Sequence, residues 1–311
     1  MRKFLLIDLF NLMHRAYHAL PKEFSDKDGN PTNAIYGVSS MLINVLQQVS
    51  PDYVCAVLDT EKPTFRHVDF TGYKAHRRPT EDMLSVQIPK IKEIVKTFGV
   101  KMVSSPGYEA DDLVGTLAVK NQDCCQIILL SNDRDLWQLA SPNILIMLPS
   151  TRGDKIEWIG VKEVIARLGV TPAQVPDYKG LVGDPSDNIP GVYGIGEKGA
   201  GNLIKEFGAI EEIYKNIDKV YPESLRKKLI GGYEQAIMSK KLATLDLNTP
   251  VEFSREDSRY EKMPLATIVP ILQAYNFKSL LKRLGVDVGD KVKESIKKKK
   301  ETNDSQKGLF D

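Results

Sequence analysis

Cysteine is scarce in this 311-residue chain, which has three, at Cys55, Cys124 and Cys125. None falls into a disulfide or zinc spacing, so a cross-linked secreted scaffold and a zinc ribbon are both excluded and a cytoplasmic protein with reduced thiols is expected. Histidine is nearly as rare, with four. His14 and His18 have the spacing of some zinc helices, but no Glu follows His14 and no third ligand offers itself. No apolar run, including Met1 to Asp8, is long enough for a signal peptide or a membrane span. Internal repeats are lacking. Net charge is only +2, since 43 basic residues nearly balance 41 acidic ones. A hydrophobic content of 42% is ample for one large domain or two modest ones.

What is present is acid in particular places. Lys3 to Ile7, Tyr53 to Leu58 and Gln126 to Leu130 are short continuous apolar runs with helical patterns between them. A parallel sheet covered on both faces is the economical fold. The first two runs end in Asp8 and Asp59, and the third in Ser131-Asn-Asp-Arg-Asp135, which supplies Asp133 and Asp135. Gly107 to Thr116 places Glu109, Asp111 and Asp112 where a helix should begin. Acids in a first helical turn are ordinary, because they complement the helix dipole. In open parallel sheets, however, the ligand site lies off the carboxyl ends of the strands. So many carboxylates gathered there need cations. An oxygen-only set suits Mg²⁺ or Mn²⁺, and two such ions roughly 4 Å apart are the usual apparatus for cutting a phosphodiester.

Basic residues stand in loops around this cluster. Arg15 lies about two turns beyond Asp8 on a helix expected from Asn11 to Leu20. Between Thr64 and Gln87 the α/β rhythm breaks. There Phe65-Arg66-His67, Phe70, Tyr73-Lys74 and His76-Arg77-Arg78 interleave aromatics with bases, as where single-stranded nucleic acid is held. Further helices are expected from about Asn33 to Val49 and over Val161 to Leu168. Gly183 to Lys198 adds Asp184 and Asp187, three apart. Overlapping its end, Gly194-Ile195-Gly196-Glu-Lys198-Gly199 matches G-x-G-x-x-G but follows no strand and so fails as a dinucleotide site. A hairpin whose backbone N–H groups meet a DNA phosphate at a helix N-terminus fits better, with Lys198 adding charge.

These motifs, in this order, resemble the 5′-nuclease domain at the N-terminus of bacterial DNA polymerase I and, more broadly, the flap endonuclease family. The likeness runs from about Met1 to Gly285. It rests on Asp8, Leu58-Asp59 with Phe65-Arg66, Tyr73 to Arg77, Gly107 to Thr116, Ser131 to Leu139 and Gly183 to Lys198. It implies a PIN-like α/β nuclease core over residues 1–175 with a helical arch at about 64–88. A helical subdomain with a helix-hairpin-helix-type motif would fill 176–285. The implied metal ligands, for two ions, are Asp8, Asp59, Glu109, Asp111, Asp112, Asp133, Asp135, Asp184 and Asp187. Lys74, Arg77 and Arg15 would contact the scissile phosphate. Arg66 and Tyr73 would contact DNA. The hairpin of Val192, Gly194, Ile195 and Gly196, with Lys198, would hold duplex DNA through a monovalent cation such as K⁺.

The chain departs from the family in two places. Leu9 and Phe10 follow Asp8 where Gly and a small residue are usual, and Gly199-Ala-Gly201 replaces a common Thr-Ala. Interior helical glycines cost roughly 1 kcal/mol each against Ala, so a looser hairpin with weaker duplex binding is expected. After Val288 a charged segment too polar for a core should be disordered; with its end it makes up 286–311. Its end, Gln306-Lys-Gly-Leu309-Phe310-Asp311, resembles the Gln-x-x-Leu-Phe peptide that docks on the bacterial sliding clamp. The expected function is a monomeric, metal-dependent 5′-3′ exonuclease and flap endonuclease acting on flapped, nicked, gapped or RNA-primed DNA, with no membrane partner. A catalytically impaired DNA-binding paralogue and an RNA-cleaving PIN-like ribonuclease are the competing readings. An inert Asp111→Asn substitution would favour the first, and preference for single-stranded RNA the second.

Overall fold

A computed structural model describes residues 1–60, 62–77, 79–149 and 156–286. The disordered tail and clamp peptide expected from the sequence, with Gln306, Leu309 and Phe310, lie outside the described residues, as does Arg78.

Six strands form one sheet in the order β3-β2-β1-β4-β5-β6. They are β1 (Arg2–Asp8), β2 (Tyr53–Val57), β3 (Lys101–Val103), β4 (Cys125–Leu130), β5 (Ile144–Leu148) and β6 (Glu157–Ile159). All neighbours are parallel except β5 and β6, so the mostly parallel sheet expected from the sequence is what forms. The three central strands are apolar on both faces because helices cover both. The order reverses between β1 and β4, and an open α/β sheet has its ligand crevice at that switch point. Register brings Asp8 level with Val57 and Ile7 level with Leu130, so the three acidic strand ends are flush.

The helices are α1 (Leu9–Ala19), α2 (Asn33–Val49), α3 (Phe65–Asp69), α4 (Asp82–Ser85), α5 (Ile88–Thr97), α6 (Ala110–Asn121), α7 (Val161–Leu168) and α8 (Val175–Val182). They continue with α9 (Glu197–Phe207), α10 (Ile210–Lys215), α11 (Glu223–Gly231), α12 (Tyr233–Ala243), α13 (Leu265–Ala274) and α14 (Lys278–Arg283). The expected spans of α2 and α7 agree with those observed, whereas α1 starts two residues earlier than expected. Strand β1 passes directly into α1, with Leu9 buried in the core, so no loop intervenes after Asp8. Among the described residues no helix is long and apolar enough to cross a membrane.

One core lies between the sheet and α6, around Leu6, Val57, Leu113, Leu117, Leu129 and Trp137. A second, around Tyr178, Leu181, Leu203, Ile204, Ile213 and Leu229, holds α8 to α12 together. Met1–Pro264 form one compact unit that contains both cores, and a second unit starts at Leu265. After α12 the chain returns to the sheet, where Leu245, Leu247, Val251 and Phe253 pack on the first core.

Candidate active site

The acids at the strand ends are placed by backbone groups. Asp8 caps α1, its Oδ1 accepting from the Asn11 N–H at 3.1 Å while Oδ2 accepts from Ser131 Oγ at 2.9 Å. Asp59 Oδ1 accepts from the Ala110 N–H at 2.8 Å, which ties the second strand end to the start of α6. Ser131 Oγ also accepts from the Asp133 N–H at 3.0 Å. Asp8 and Asp59, so held, line one cavity of about 540 Å³ together with Asp111 and Asp133, with Lys74, Arg77 and His14 also on its lining. A cavity of comparable volume, about 570 Å³, lies at the opposite ends of the strands around Arg2, Asp52 and Tyr53, and holds none of these acids.

The nine expected acids do not converge as one set. Among the described residues no three acidic, histidine or cysteine side chains stand close enough to hold an ion as they are. They divide instead by how their charge is met. Glu109 takes the Lys74 ammonium at 2.9 Å, and Asp187 takes Arg77 at 2.6 Å. The Tyr73 hydroxyl donates to Glu109 Oε2 at 3.0 Å, with Asp187 Oδ2 at 3.2 Å as the alternative acceptor. Asp112 is fully buried and holds Arg66 in a two-bond fork, both bonds 2.7 Å long. Asp135 and Asp184 share Lys179.

The four acids in the cavity have no such partners, and it shows in their proton affinity. Burial first, then repulsion from Asp59 and Asp133, pushes the Asp8 carboxyl up to about 7, against the hydrogen bonds from Asn11 and Ser131. Burial followed by Asp133 and Asp8 raises Asp111 well above the carboxylate range, and burial raises Asp59 and Asp133. Asp111 Oδ1 is buried with no hydrogen-bond partner among the described residues. An orphaned carboxylate oxygen beside three under-neutralised carboxylates fits a hard divalent cation, which takes oxygen ligands. The residues present therefore suit Mg²⁺ or Mn²⁺.

Four expected DNA-contacting side chains are otherwise employed: Arg66, Tyr73, Val192 and Ile195. Arg66 is 2% exposed. Its remaining donors reach Leu242 O at 2.8 Å and Thr244 O at 2.9 Å. It is thus an internal strut, and Asp112 its anchor, because an unpaired charge at that depth would be prohibitive. Tyr73 is 3% exposed, packed with Ile189 and Leu242 and edge-on to His67, and has no face free for stacking. Val192 and Ile195 point into the helical core, so the hairpin can offer a ligand their backbone only. Gly194, Gly196 and Lys198 are exposed, with Gly196 capping α9. Arg15 is exposed on α1 outside the acidic cavity; His14, one residue earlier, lines it. Burial and the nearby His18 and Arg77 lower His14, which keeps it neutral at pH 7. Sequence reasoning missed Asn11 and Lys179, and weighed His14 only as half of a zinc pair with His18. The i, i+3 spacing of Asp8 and Asn11 hinted at Asn11, and nothing hinted at Lys179.

Residues 3–169 match the 5′-3′ exonuclease N-terminal, resolvase-like domain, and residues 170–265 match the 5′-3′ exonuclease C-terminal SAM fold. The chain is 38% identical over 285 residues to a 5′-3′ exonuclease of Aquifex aeolicus, across 91% of this chain and 96% of that one. The chain belongs to the 5′-3′ exonuclease family. It is also 40% identical over 287 residues to DNA polymerase I of Caldicellulosiruptor bescii, across 91% of this chain but 34% of that one. It spans about a third of the length of the polymerase I relatives it matches. In fold it is similar to the bacteriophage T5 flap endonuclease, a structure that contains DNA and metal ions. The TM-score is 0.66 at 20% identity, covering 91% of this chain and 98% of that one. The family and the α/β fold expected from the sequence are thereby borne out.

Proposed function

We propose that this exonuclease-family chain is a structure-specific 5′-3′ exonuclease and flap endonuclease. It hydrolyses phosphodiester bonds near 5′ flaps, nicks and gaps, RNA primers included, in cytoplasmic DNA replication and repair. The observation that carries this reading is the cavity at the switch point, where Asp8, Asp59, Asp111 and Asp133 face Lys74 and Arg77. The T5 neighbour, which has the same fold and was solved with DNA and metal ions, supports it.

Asp8, Asp59, Asp111 and Asp133 would hold divalent Mg²⁺ or Mn²⁺, two ions once the remaining acids join. Such ions supply a hydroxide-like nucleophile and stabilise charge on the leaving oxygen. Lys74 and Arg77 now neutralise Glu109 and Asp187. Drawn to a substrate phosphate, they would place cationic donors on its oxygens, where charge builds in the transition state. Neutral His14 on the lining can hydrogen-bond a substrate oxygen without adding a fixed charge. The exposed Gly194 and Gly196 backbone, with Lys198, offers duplex DNA a phosphate seat, to which a monovalent ion such as K⁺ can contribute. The Gln306, Leu309 and Phe310 peptide is proposed to dock on a sliding clamp. Deleting 306–311 should then abolish clamp binding and spare cleavage of short substrates.

The test is cleavage of 5′-labelled double-flap DNA with Mg²⁺, with chelator and with Asp111→Asn, sizing the products on a denaturing gel. Junction-length products that require both the metal and Asp111 are expected. Cleavage that survives chelator or Asp111→Asn would refute the assignment of the cavity.

A further inference from the structure

Lys179 stands in α8, 8% exposed, and its ammonium lies between two carboxylates. On one side it pairs with Asp135, and on the other it reaches Asp184 Oδ2 at 2.6 Å. The two acids come from different parts of the fold. Asp135 follows β4, and its N–H donates to Asp133 Oδ1 at 2.8 Å, so it adjoins the open carboxylates. Asp184 begins the hairpin before α9 and accepts from the Ser186 N–H at 2.9 Å. Two carboxylates held toward each other by one central cation, next to further carboxylates, form an oxygen-only site for a divalent ion. Here the cation is covalently part of the chain. A cavity of about 500 Å³, lined by Asp133, Lys179 and Asp184 among others, leads to the cluster, so ions in solution can reach it.

We propose that Lys179 is a resident cation: its ammonium fills the place between Asp135 and Asp184 that a second divalent ion would take. The inference rests on the metal-dependent reading above. Two carboxylates and one ammonium leave a single negative charge, so a divalent ion still gains by entering, but only by turning the lysine out. Before substrate arrives, the protein therefore binds one divalent ion well, on Asp8, Asp59, Asp111 and Asp133, and a second one poorly.

The experiment is calorimetric titration of the full chain, stripped with chelator, with Mn²⁺ alone, together with the rise in Tm that Mn²⁺ produces. The natural chain should show one tight site and a second about tenfold or more weaker. Lys179→Met should tighten the second site by about tenfold or more and enlarge the Mn²⁺-induced rise in Tm. Lys179→Gln, which keeps a donor without the charge, should do the same, and Lys179→Arg should resemble the natural chain. A neutral variant that folds only with Mn²⁺ would also support the proposal. Natural affinities and stoichiometry in both neutral variants would overturn it and leave the metal-dependent reading intact, as would failure of both to fold even with Mn²⁺. A natural chain that binds no Mn²⁺ at millimolar concentration would overturn both.

Discussion

Asp8 is both a helix cap and one of four carboxylates that share a cavity, and the two roles pull its proton affinity in opposite directions. Burial and repulsion win, so the folded-state value is about 7 against an ordinary 3.8. Below about pH 4 the group is neutral in both the folded and the unfolded chain and costs nothing. Between there and about 7 the unfolded chain releases a proton that the folded chain keeps, so stability falls as pH rises through this window. Melts of the metal-free protein should thus show a Tm that declines from pH 4 to 7 more steeply than in Asp8→Asn. Parallel curves for the two proteins would mean that Asp8 is ionised throughout. Mg²⁺ at pH 8 should raise the Tm of the natural chain and do so less in Asp8→Asn. A different test applies to Arg66. Its fork with Asp112 is dry, so Arg66→Ala strands a buried carboxylate and should cost about 3–5 kcal/mol in urea unfolding. If Arg66 served DNA instead, stability would stay within about 0.5 kcal/mol and only affinity would change.

The hairpin between α8 and α9 shows what glycine does within an element and where it is merely tolerated. Gly191 has φ +61°, and a Cβ there would lie 2.3 Å from Gly183 N, so the turn depends on that residue. Gly201 sits within α9 with an ordinary conformation, and a Cβ would meet only Leu168 O at 3.5 Å. Glycines after Lys198 therefore do not break the helix, which runs complete from Glu197 to Phe207. Gly201→Ala should stabilise by up to about 1 kcal/mol, whereas Gly191→Ala should destabilise by more than that and weaken duplex binding. Thermal melts of both variants and a gel shift on nicked DNA check this; equal Tm values would contradict it. Elements of this kind were legible where a local signal is strong. The runs ending at Ile7, Leu58 and Leu130 and the apolar period of α7 gave strands and helix directly. Strands β3 and β6, three residues each, carry too little pattern to stand out and exist only because a longer neighbour pairs with them. The acids were equally plain, but not their partners. Nothing local tells that Arg66 turns inward to an acid 46 residues away, or that Lys179 rather than solvent meets Asp135.

At the scale of the molecule, the matched domains meet at residues 169 and 170, yet both lie within one compact unit, Met1–Pro264. The end of α12 and the segment after it cross back to the core between the sheet and α6 and complete it. Leu242 O and Thr244 O take the Arg66 guanidinium, and the Asp246 N–H donates to Asp112 Oδ1 at 2.9 Å. Thr116 Oγ1 accepts from the Thr249 N–H at 3.1 Å, and Ser105 Oγ donates to Pro250 O at 2.6 Å. A chain ending at residue 175 would lose every one of these bonds, together with the cover that Leu245, Leu247 and Phe253 give to the sheet. Its Arg66 and Asp112 would keep each other but face water where apolar side chains had excluded it, and the exposed patch would invite association. Circular dichroism of residues 1–175 should accordingly show helix and strand without a sharp melt, and light scattering should show aggregates. Residues 1–264 should melt in a single transition, because that span contains both cores and the returning strap. A sharp transition in the shorter chain would mean that the sheet, α6 and the acidic cavity assemble unaided. The strap would then serve only to tether the hairpin. Should the shorter chain fail to melt cooperatively, the acidic cavity depends for its stability on the strap that returns from α12.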